Sequence, residues 1–384
     1  SGEIAPSPAE ERTDEMKIGI ACQNYPPATY EGGISHYSRL LARGLRQRGH
    51  DVHALASTEF ARPQGAEASS DGVKIVRIQG PWDRRTVGEM RAIAKERGLE
   101  AIILEFSPAS FSPSFRIAWA LGRFDCQKIT AFHTLWGKGA DRMLGMLTLL
   151  GSQKIIATNS EIMFLLEKYL PRFLPKTYWI PIGSNILPDL RGGAAAEPSP
   201  KPIISYFGML YSGKGLDLIL DCLQKLGERG HPFAFKFIGG GMLDQEAYEA
   251  DFRREISRRN LQNDVEHLGL VSDREVSLWL SRSRFVFLPY DRGVSDRRGT
   301  LMAAIAHGKA VLTSPPVVDM PFLKNGINLC WPDNHAIGEY LAWMERLLRD
   351  DALVERLEAG ARRLSSFFDW SRIVSDHELV LRQP

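Results

Sequence analysis

Residues 16–56 read MKIGIACQNYPPATYEGGISHYSRLLARGLRQRGHDVHALA. Ile18 to Cys22 is a short apolar run, and the stretch Asn24-Tyr25-Pro26-Pro27 breaks it. After Gly32-Gly33, the residues Ile34, Tyr37, Leu41 and Leu45 recur on one helical face until Gly49 stops the pattern. Asp51 to Ala56 then turns apolar again. Strand, glycine loop, helix, strand is a βαβ unit, and its two strands run parallel.

The same alternation extends outward along the chain. Val73–Ile78, Ala101–Glu105, Lys128–Phe132, Lys154–Thr158 and Thr177–Ile180 read as strands. Helical patterns fall between them near 83–98, 114–124, 140–150 and 160–170. Pro188 to Pro202, PDLRGGAAAEPSPKP, has no periodicity and many breakers, so it reads as a linker. Beyond it strands are expected at Ile203–Gly208, Phe233–Ile238, Val265–Leu268, Phe285–Pro289 and Ala310–Thr313. Helices alternate with them near 215–228, 245–259, 273–282 and 300–307, and three more close the chain near 335–349, 351–366 and 370–381. Strands alternating with helices imply parallel sheets covered on both faces. The expectation is an α/β protein of two doubly wound domains of similar size.

Composition narrows the class. The 384 residues allow two to four domains, and 44% apolar with 24% charged residues is ordinary globular usage. A formal net charge of +2 gives no support for a broad nucleic-acid surface. No apolar run approaches the ~20 residues of a membrane-spanning helix. Ser1 to Glu15 carries five acidic residues and no apolar core, so it reads as a polar leader and not as a signal peptide. Cys22, Cys126, Cys222 and Cys330 stand about a hundred residues apart with no C-x-x-C pair, which suggests neither a zinc site nor a disulfide framework. A reduced, cytoplasmic setting is expected, with no metal site.

In open parallel sheets, ligands bind outside the carboxyl ends of the strands. Gly32 and Gly33 precede the first helix there; they fit a close backbone approach to an anion, or a turn that needs positive φ. The pair lacks the G-x-G-x-x-G dinucleotide pattern, which argues against a nicotinamide or flavin enzyme. In the second half, Gly208 follows a strand, and Lys214 stands at a helix start where its charge can meet a phosphate. Gly239-Gly240-Gly241 forms another turn at a strand end.

The densest signal is Asp291-Arg292-Gly293-Val294-Ser295-Asp296-Arg297-Arg298-Gly299-Thr300, between an apolar strand and the helical run Leu301–His307. Arg297, Arg298, Gly299 and Thr300 at a helix mouth suit a diphosphate, and a solvated charged loop is the competing reading. His133 ends a strand and faces the crevice as an acid, base or donor, or is structural; Glu105 is a weaker candidate of the same kind. The segment Phe115 to Phe124, flanked by Arg116 and Arg123, reads as a buried helix before a membrane-facing one.

Together these residues resemble the family-4 glycosyltransferases of the GT-B fold. Residues 16–56 look like that family's first βαβ unit. Ala131-Phe132-His133-Thr134, Thr158-Asn159-Ser160-Glu161 and Ile180-Pro181-Ile182-Gly183-Ser184-Asn185 look like the rest of its first domain. Tyr206-Phe207-Gly208 with Lys214-Gly215, His267-Leu268-Gly269-Leu270-Val271 and Ala306-His307-Gly308-Lys309-Ala310-Val311 match its second. Phe368-Asp369-Trp370 resembles the start of its terminal segment.

The resemblance implies two Rossmann-like domains facing a central cleft. They would be an acceptor-side domain over 16–187 and a nucleotide-sugar domain over 203–366. A C-terminal helix within 367–384 would cross back to the first domain. It also implies a retaining, metal-independent transfer from a nucleotide-diphosphate sugar, which is a substrate and not a cofactor, to an unidentified acceptor. Residues 80–90 and 106–114 are the candidate acceptor loops, and nothing indicates membrane association. By the same resemblance Gly32 and Gly33 face the donor phosphates, His133 touches the transferred sugar, Lys214 holds the diphosphate, and domain closure excludes water.

Two departures stand out. The family usually has an arginine where this chain has Met209, and a pair of glutamates where it has Ser295 and Ala303. Arg297 and Arg298 would supply the diphosphate charge in such a variant branch. A pseudo-glycosyltransferase forming a non-glycosidic linkage, and a catalytically silent binder of sugar nucleotides, are the alternatives.

Overall fold

The computed structural model describes residues 15–29, 31–58, 71–78, 82, 84–111, 115–137, 139–189, 199–211, 214–240 and 246–384. The expected leader, apart from Glu15, lies outside these residues, as do Gly241 and positions 190–198 of the expected linker.

In chain order the elements begin β1 (Lys17–Cys22), α1 (Gly33–Gln47), β2 (Asp51–Ser57), β3 (Lys74–Ile78), α2 (Arg84–Glu96) and β4 (Ala101–Phe106). They continue with α3 (Pro108–Phe111), α4 (Arg116–Leu121), β5 (Gln127–Phe132), α5 (Ala140–Gly151), β6 (Lys154–Ala157), α6 (Ser160–Tyr169) and β7 (Thr177–Trp179). Next come β8 (Ile203–Phe207), α7 (Leu216–Glu228), β9 (Ala234–Ile238), α8 (Glu246–Arg258), β10 (Val265–His267) and α9 (Asp273–Arg282). The last are β11 (Phe285–Leu288), α10 (Gly299–Ala306), β12 (Val311–Thr313), α11 (Ile337–Arg349), α12 (Asp351–Ser365) and α13 (Trp370–Arg382). The expected alternation is present throughout. The short α3 was not foreseen, because four residues carry no readable period, and the helix expected near 114–124 is confined to α4.

Two compact units divide the chain. The first takes the described residues up to Ala157, with Arg172–Tyr178 and Val374–Pro384; the second takes Thr158–Pro171 and Trp179–Ile373. The first unit's sheet has the strand order β3-β2-β1-β4-β5-β6-β7. Its β1 is parallel to both β2 and β4, with Ile18 beside Val52 and Ile20 beside Ile103. All six residues of β4 are buried, as a central strand covered on both faces requires. On α4, Ile117, Ala118 and Leu121 are buried, and Phe124 beyond it is buried too, so this segment packs inward.

The second unit's sheet has the order β10-β9-β8-β11-β12, with every neighbouring pair parallel. Its core is built on Phe235, Phe237, Phe285 and Phe287 from the strands, with Leu220, Leu223, Leu301 and Ile305 from the helices. In each sheet the strand order reverses at one place, between β1 and β4 in the first and between β8 and β11 in the second. There, neighbouring strands send their helices to opposite faces and leave a crevice at their carboxyl ends.

Candidate functional site

The predicted residues collect at those two reversal points, one set in each unit. In the first unit, Gly32 is the N-cap of α1 and Gly33 its first residue. Gly32 has φ −97° and ψ −178°, so the positive-φ turn entertained for this pair is not what fixes it. A Cβ at Gly33 would meet no described atom within 4 Å. Neither backbone conformation nor packing explains glycine here. The first turn of α1 has no side-chain cap and no acidic residue of its own, and the Glu31 carboxylate just before the N-cap lies 3.9 Å from His36 Nε2.

His133 follows β5, and its Nε2 lies 2.7 Å from Oε2 of Glu105 near the end of β4. The Glu105 carboxylate is wholly buried, and its Oε1 has no hydrogen-bond partner among the described residues. The Tyr37 ring meets the His133 ring edge-on at 5.0 Å, and the Tyr37 hydroxyl lies 3.2 Å from His377 Nε2. Burial first, and then the Glu105 charge, pushes the Cys22 thiol up to about 12 and the Tyr37 phenol well above its usual value. Glu105 thus sets the position of the His133 ring and the electrostatics around it. Of the expected acceptor loops, residues 84–90 belong to α2 and residues 108–111 form α3.

In the second unit, Gly208 and Gly239 pack backbone against backbone. Gly239 has φ +130°, and a Cβ on it would stand 2.1 Å from the Gly208 carbonyl oxygen. The Leu210 N–H donates to the Gly240 carbonyl at 3.0 Å, and a Cβ on Gly240 would press on Leu270. These glycines therefore have a packing reason of their own. Lys214 precedes Gly215, the left-handed N-cap of α7, and its Nζ lies 4.8 Å from the centre of the Tyr211 ring. A Cβ on Gly208 would also reach Thr300 Cγ2 at 3.4 Å, so the β8 turn adjoins the start of α10.

The charged loop before α10 is sorted by the fold. Asp296 is fully buried and accepts from the Ser160 N–H at 2.8 and 3.0 Å and from the Ser160 hydroxyl at 2.7 Å. Burial pushes its carboxyl up to about 6 against the opposing pull of those bonds. The Arg297 guanidinium lies 3.3 Å from Glu161 on α6. Arg298 is the N-cap of α10, with its guanidinium 4.9 Å from the Tyr290 ring centre and no side-chain hydrogen bond or ion pair among the described residues. The Tyr290 hydroxyl, raised to about 12 by burial, lies 2.7 Å from Thr300 Oγ1. Gly299 opens α10 as Gly33 opens α1, with no described atom within 4 Å of its Cβ position, no side-chain cap and no acid in the first turn. By contrast, Asn159 caps α6, Ser272 caps α9 and Asp350 caps α12. The sequence reading did not single out Asp296; a buried carboxylate inside a run of charges carries no local mark.

Residues 201–350 match the family described as glycosyl transferases group 1, and residues 32–160 match the glycosyl transferase 4-like domain. The chain belongs to the family-4 glycosyltransferases of the GT-B fold. It is an enzyme of sugar transfer. Among solved structures, sucrose-phosphate synthase from Thermosynechococcus elongatus resembles this glycosyltransferase with a TM-score of 0.75 and 18% identity, over 96% of this chain and 99% of that one. A glycosyltransferase from Rickettsia africae does so with TM-score 0.75 and 14% identity, over 96% and 98%. HepE of Anabaena, solved in complex with UDP and glucose, has TM-score 0.72 and 15% identity, over 96% and 99%. No curated protein matches the chain. Ser295 and Ala303 of this glycosyltransferase are both fully buried. Among the described residues no helix is long and apolar enough to cross a membrane.

Proposed function

We propose that this glycosyltransferase moves a sugar from a nucleoside diphosphate sugar to an acceptor hydroxyl, with retention at the anomeric carbon and without a metal ion. The observation that carries the reading is the shared construction of α1 and α10. Each starts on a glycine with open space at its Cβ position and no side-chain cap, at the reversal point of its sheet. Backbone N–H groups presented in this way suit phosphate oxygens. The UDP held by the Anabaena neighbour supports the donor class.

The second unit binds the donor in this reading, through Gly208, Lys214, Gly240, Arg298, Gly299 and Thr300. Gly32 and Gly33 approach the phosphates, His133 touches the sugar, and the acceptor is held by the first unit. Arg298 is the better phosphate ligand of its pair, because its donors are uncommitted among the described residues while Arg297 is engaged by Glu161. In the transfer, the bond from the anomeric carbon to the diphosphate oxygen breaks. The acceptor oxygen bonds to that carbon on the same face, and its proton passes to a phosphate oxygen of the departing nucleoside diphosphate. Lys214, Arg298 and the start of α10 stabilise the charge that develops there, commonly the largest catalytic contribution. Neither Ser295 nor Ala303 carries a carboxylate, and this route needs none at those positions.

The test is thermal unfolding with a panel of nucleoside diphosphates and their sugars, on wild type and on Arg297→Ala/Arg298→Ala. One nucleotide at a hundred times its Kd should add about 2.7 kcal/mol to wild-type stability. The double variant should lose that shift and the transfer activity while keeping its unliganded midpoint. Full activity in the variant, or no shift with any nucleotide, overturns the donor assignment.

A further inference from the structure

The first unit has a cavity of about 360 Å³ that the proposed transfer does not use. Its volume falls within the usual range for a small-molecule site. One wall is a single face of α2, with Gly88, Arg91, Ala92 and Lys95 at helical spacing. The opposite wall is the segment from Arg123 to Cys126, which leads into β5. Leu99 and Phe124, both buried, line it with apolar surface.

The cavity lies where β4 and β5 begin, whereas Glu105 and His133 stand where those strands end. The length of β4, about 20 Å at about 3.3 Å per residue, separates the two places. A donor phosphate at α1 does not reach it.

Its charge is one-sided. Arg91, Lys95 and Arg123 are exposed on the lining, against the single carboxylate of Asp125. Arg91 and Lys95 make no ion pair or hydrogen bond among the described residues, so both charges are available to a ligand. Gly88 is a second oddity. A mid-helix glycine costs stability relative to alanine, yet a Cβ there would meet no described atom within 4 Å. The missing side chain keeps that wall of the cavity low.

We infer that this cavity binds a small hydroxylated phosphate ester. A guanidinium and an ammonium one helical turn apart take the phosphate oxygens, Asp125 accepts from a ligand hydroxyl, and Leu99 and Phe124 pack against the carbon skeleton. The shared chemistry, a phosphate ester carrying free hydroxyls, is found both in sugar phosphates and in glycerol-phosphate lipid headgroups.

Cys126 supplies a local readout, because it lines the cavity while Cys22, Cys222 and Cys330 are buried. The full chain is alkylated with iodoacetamide at mildly alkaline pH, and the Cys126 peptide is followed by mass spectrometry. One arm adds glucose 6-phosphate, with free glucose as control, and the other adds phosphatidylglycerol vesicles. Protection of Cys126 is expected, and the arm in which it appears identifies the source of the ligand. Arg91→Ala/Lys95→Ala should raise the half-protecting concentration about tenfold or more with an unchanged unfolding midpoint, since both side chains are exposed. Arg297→Ala/Arg298→Ala should leave protection intact, which separates this site from the donor site. Absence of protection in both arms, or protection that survives loss of Arg91 and Lys95, overturns the inference.

Discussion

Gly33 is the residue whose identity says most about ligand binding, because the fold does not require it. Its neighbour Gly32 is extended, and space above Gly33 is open among the described residues. Alanine there should therefore keep or slightly raise the unfolding midpoint, since alanine is the better helix former by up to about 1 kcal/mol. The added methyl should also hold a phosphate off the helix N–H groups and raise the donor KM roughly tenfold, a penalty of about 1.4 kcal/mol. Steady-state kinetics beside a thermal melt separate the two effects. A lowered midpoint with unchanged donor KM would make Gly33 a folding residue. Gly32 and Gly33 were legible in the sequence as residues just ahead of a helix, and Glu105 and His133 as residues at strand ends. That Glu105 and His133 touch was not. It depends on β4 lying beside β5 with Phe106 next to Phe132, and strand neighbours and register are long-range facts without a local signature.

At the scale of elements, the run from Asp291 to Thr300 was readable as a charged loop between a strand and a helix, but its charges are not interchangeable. One carboxylate turns inward to bind Ser160 at the start of α6, one guanidinium pairs with Glu161, and one lies over Tyr290. Sequence spacing could not sort them, because the sorting depends on α6, more than a hundred residues earlier. Asp296 thereby fixes the loop that leads into α10, and its titration reports on that role. Its carboxyl is raised to about 6 by burial, against about 3.9 in an unfolded chain. The folded state binds this proton more tightly, so the contribution of Asp296 to stability falls as pH rises from about 4 to about 6. Asn at this position keeps an oxygen for the Ser160 N–H and does not titrate. Urea unfolding of wild type and Asp296→Asn across that window should show the wild type losing ground to the variant by roughly 3 kcal/mol, then levelling off above pH 6. A difference that is flat, or that runs the other way, removes the buried-carboxylate account.

At the scale of the whole chain, the first unit is closed by its last residues. The sequence shows α13 as a helical period, but only the resemblance pointed to where it packs, because a helix face does not name its partner. Glu378 carries the docking within this unit. It is 4% exposed and accepts from Arg48 Nε at 2.6 Å and from Arg382 Nη2 at 3.0 Å. The Met16 N–H donates to His50 Nδ1, which puts the His50 proton on Nε2, 3.3 Å from Glu378 Oε1. Burial alone would raise the Glu378 carboxyl, but the bonds from Arg382 and Arg48 outweigh it and hold the group below its usual range. A lowered carboxyl contributes stability that is present above the unfolded value of about 4.3 and is lost as pH falls through the native one. Glu378→Gln removes the charge and leaves Arg48, Arg382 and the buried His50 facing an amide. The variant should be less stable by about 1.5 kcal/mol at pH 7, because Glu378 is buried but solvent screens its partly exposed arginine partners. Chemical denaturation at pH 7 and at pH 3 checks it, with the gap between wild type and variant narrowing at the lower pH. An equal gap at both values would mean that shape, and not charge, holds the C-terminal residues in place.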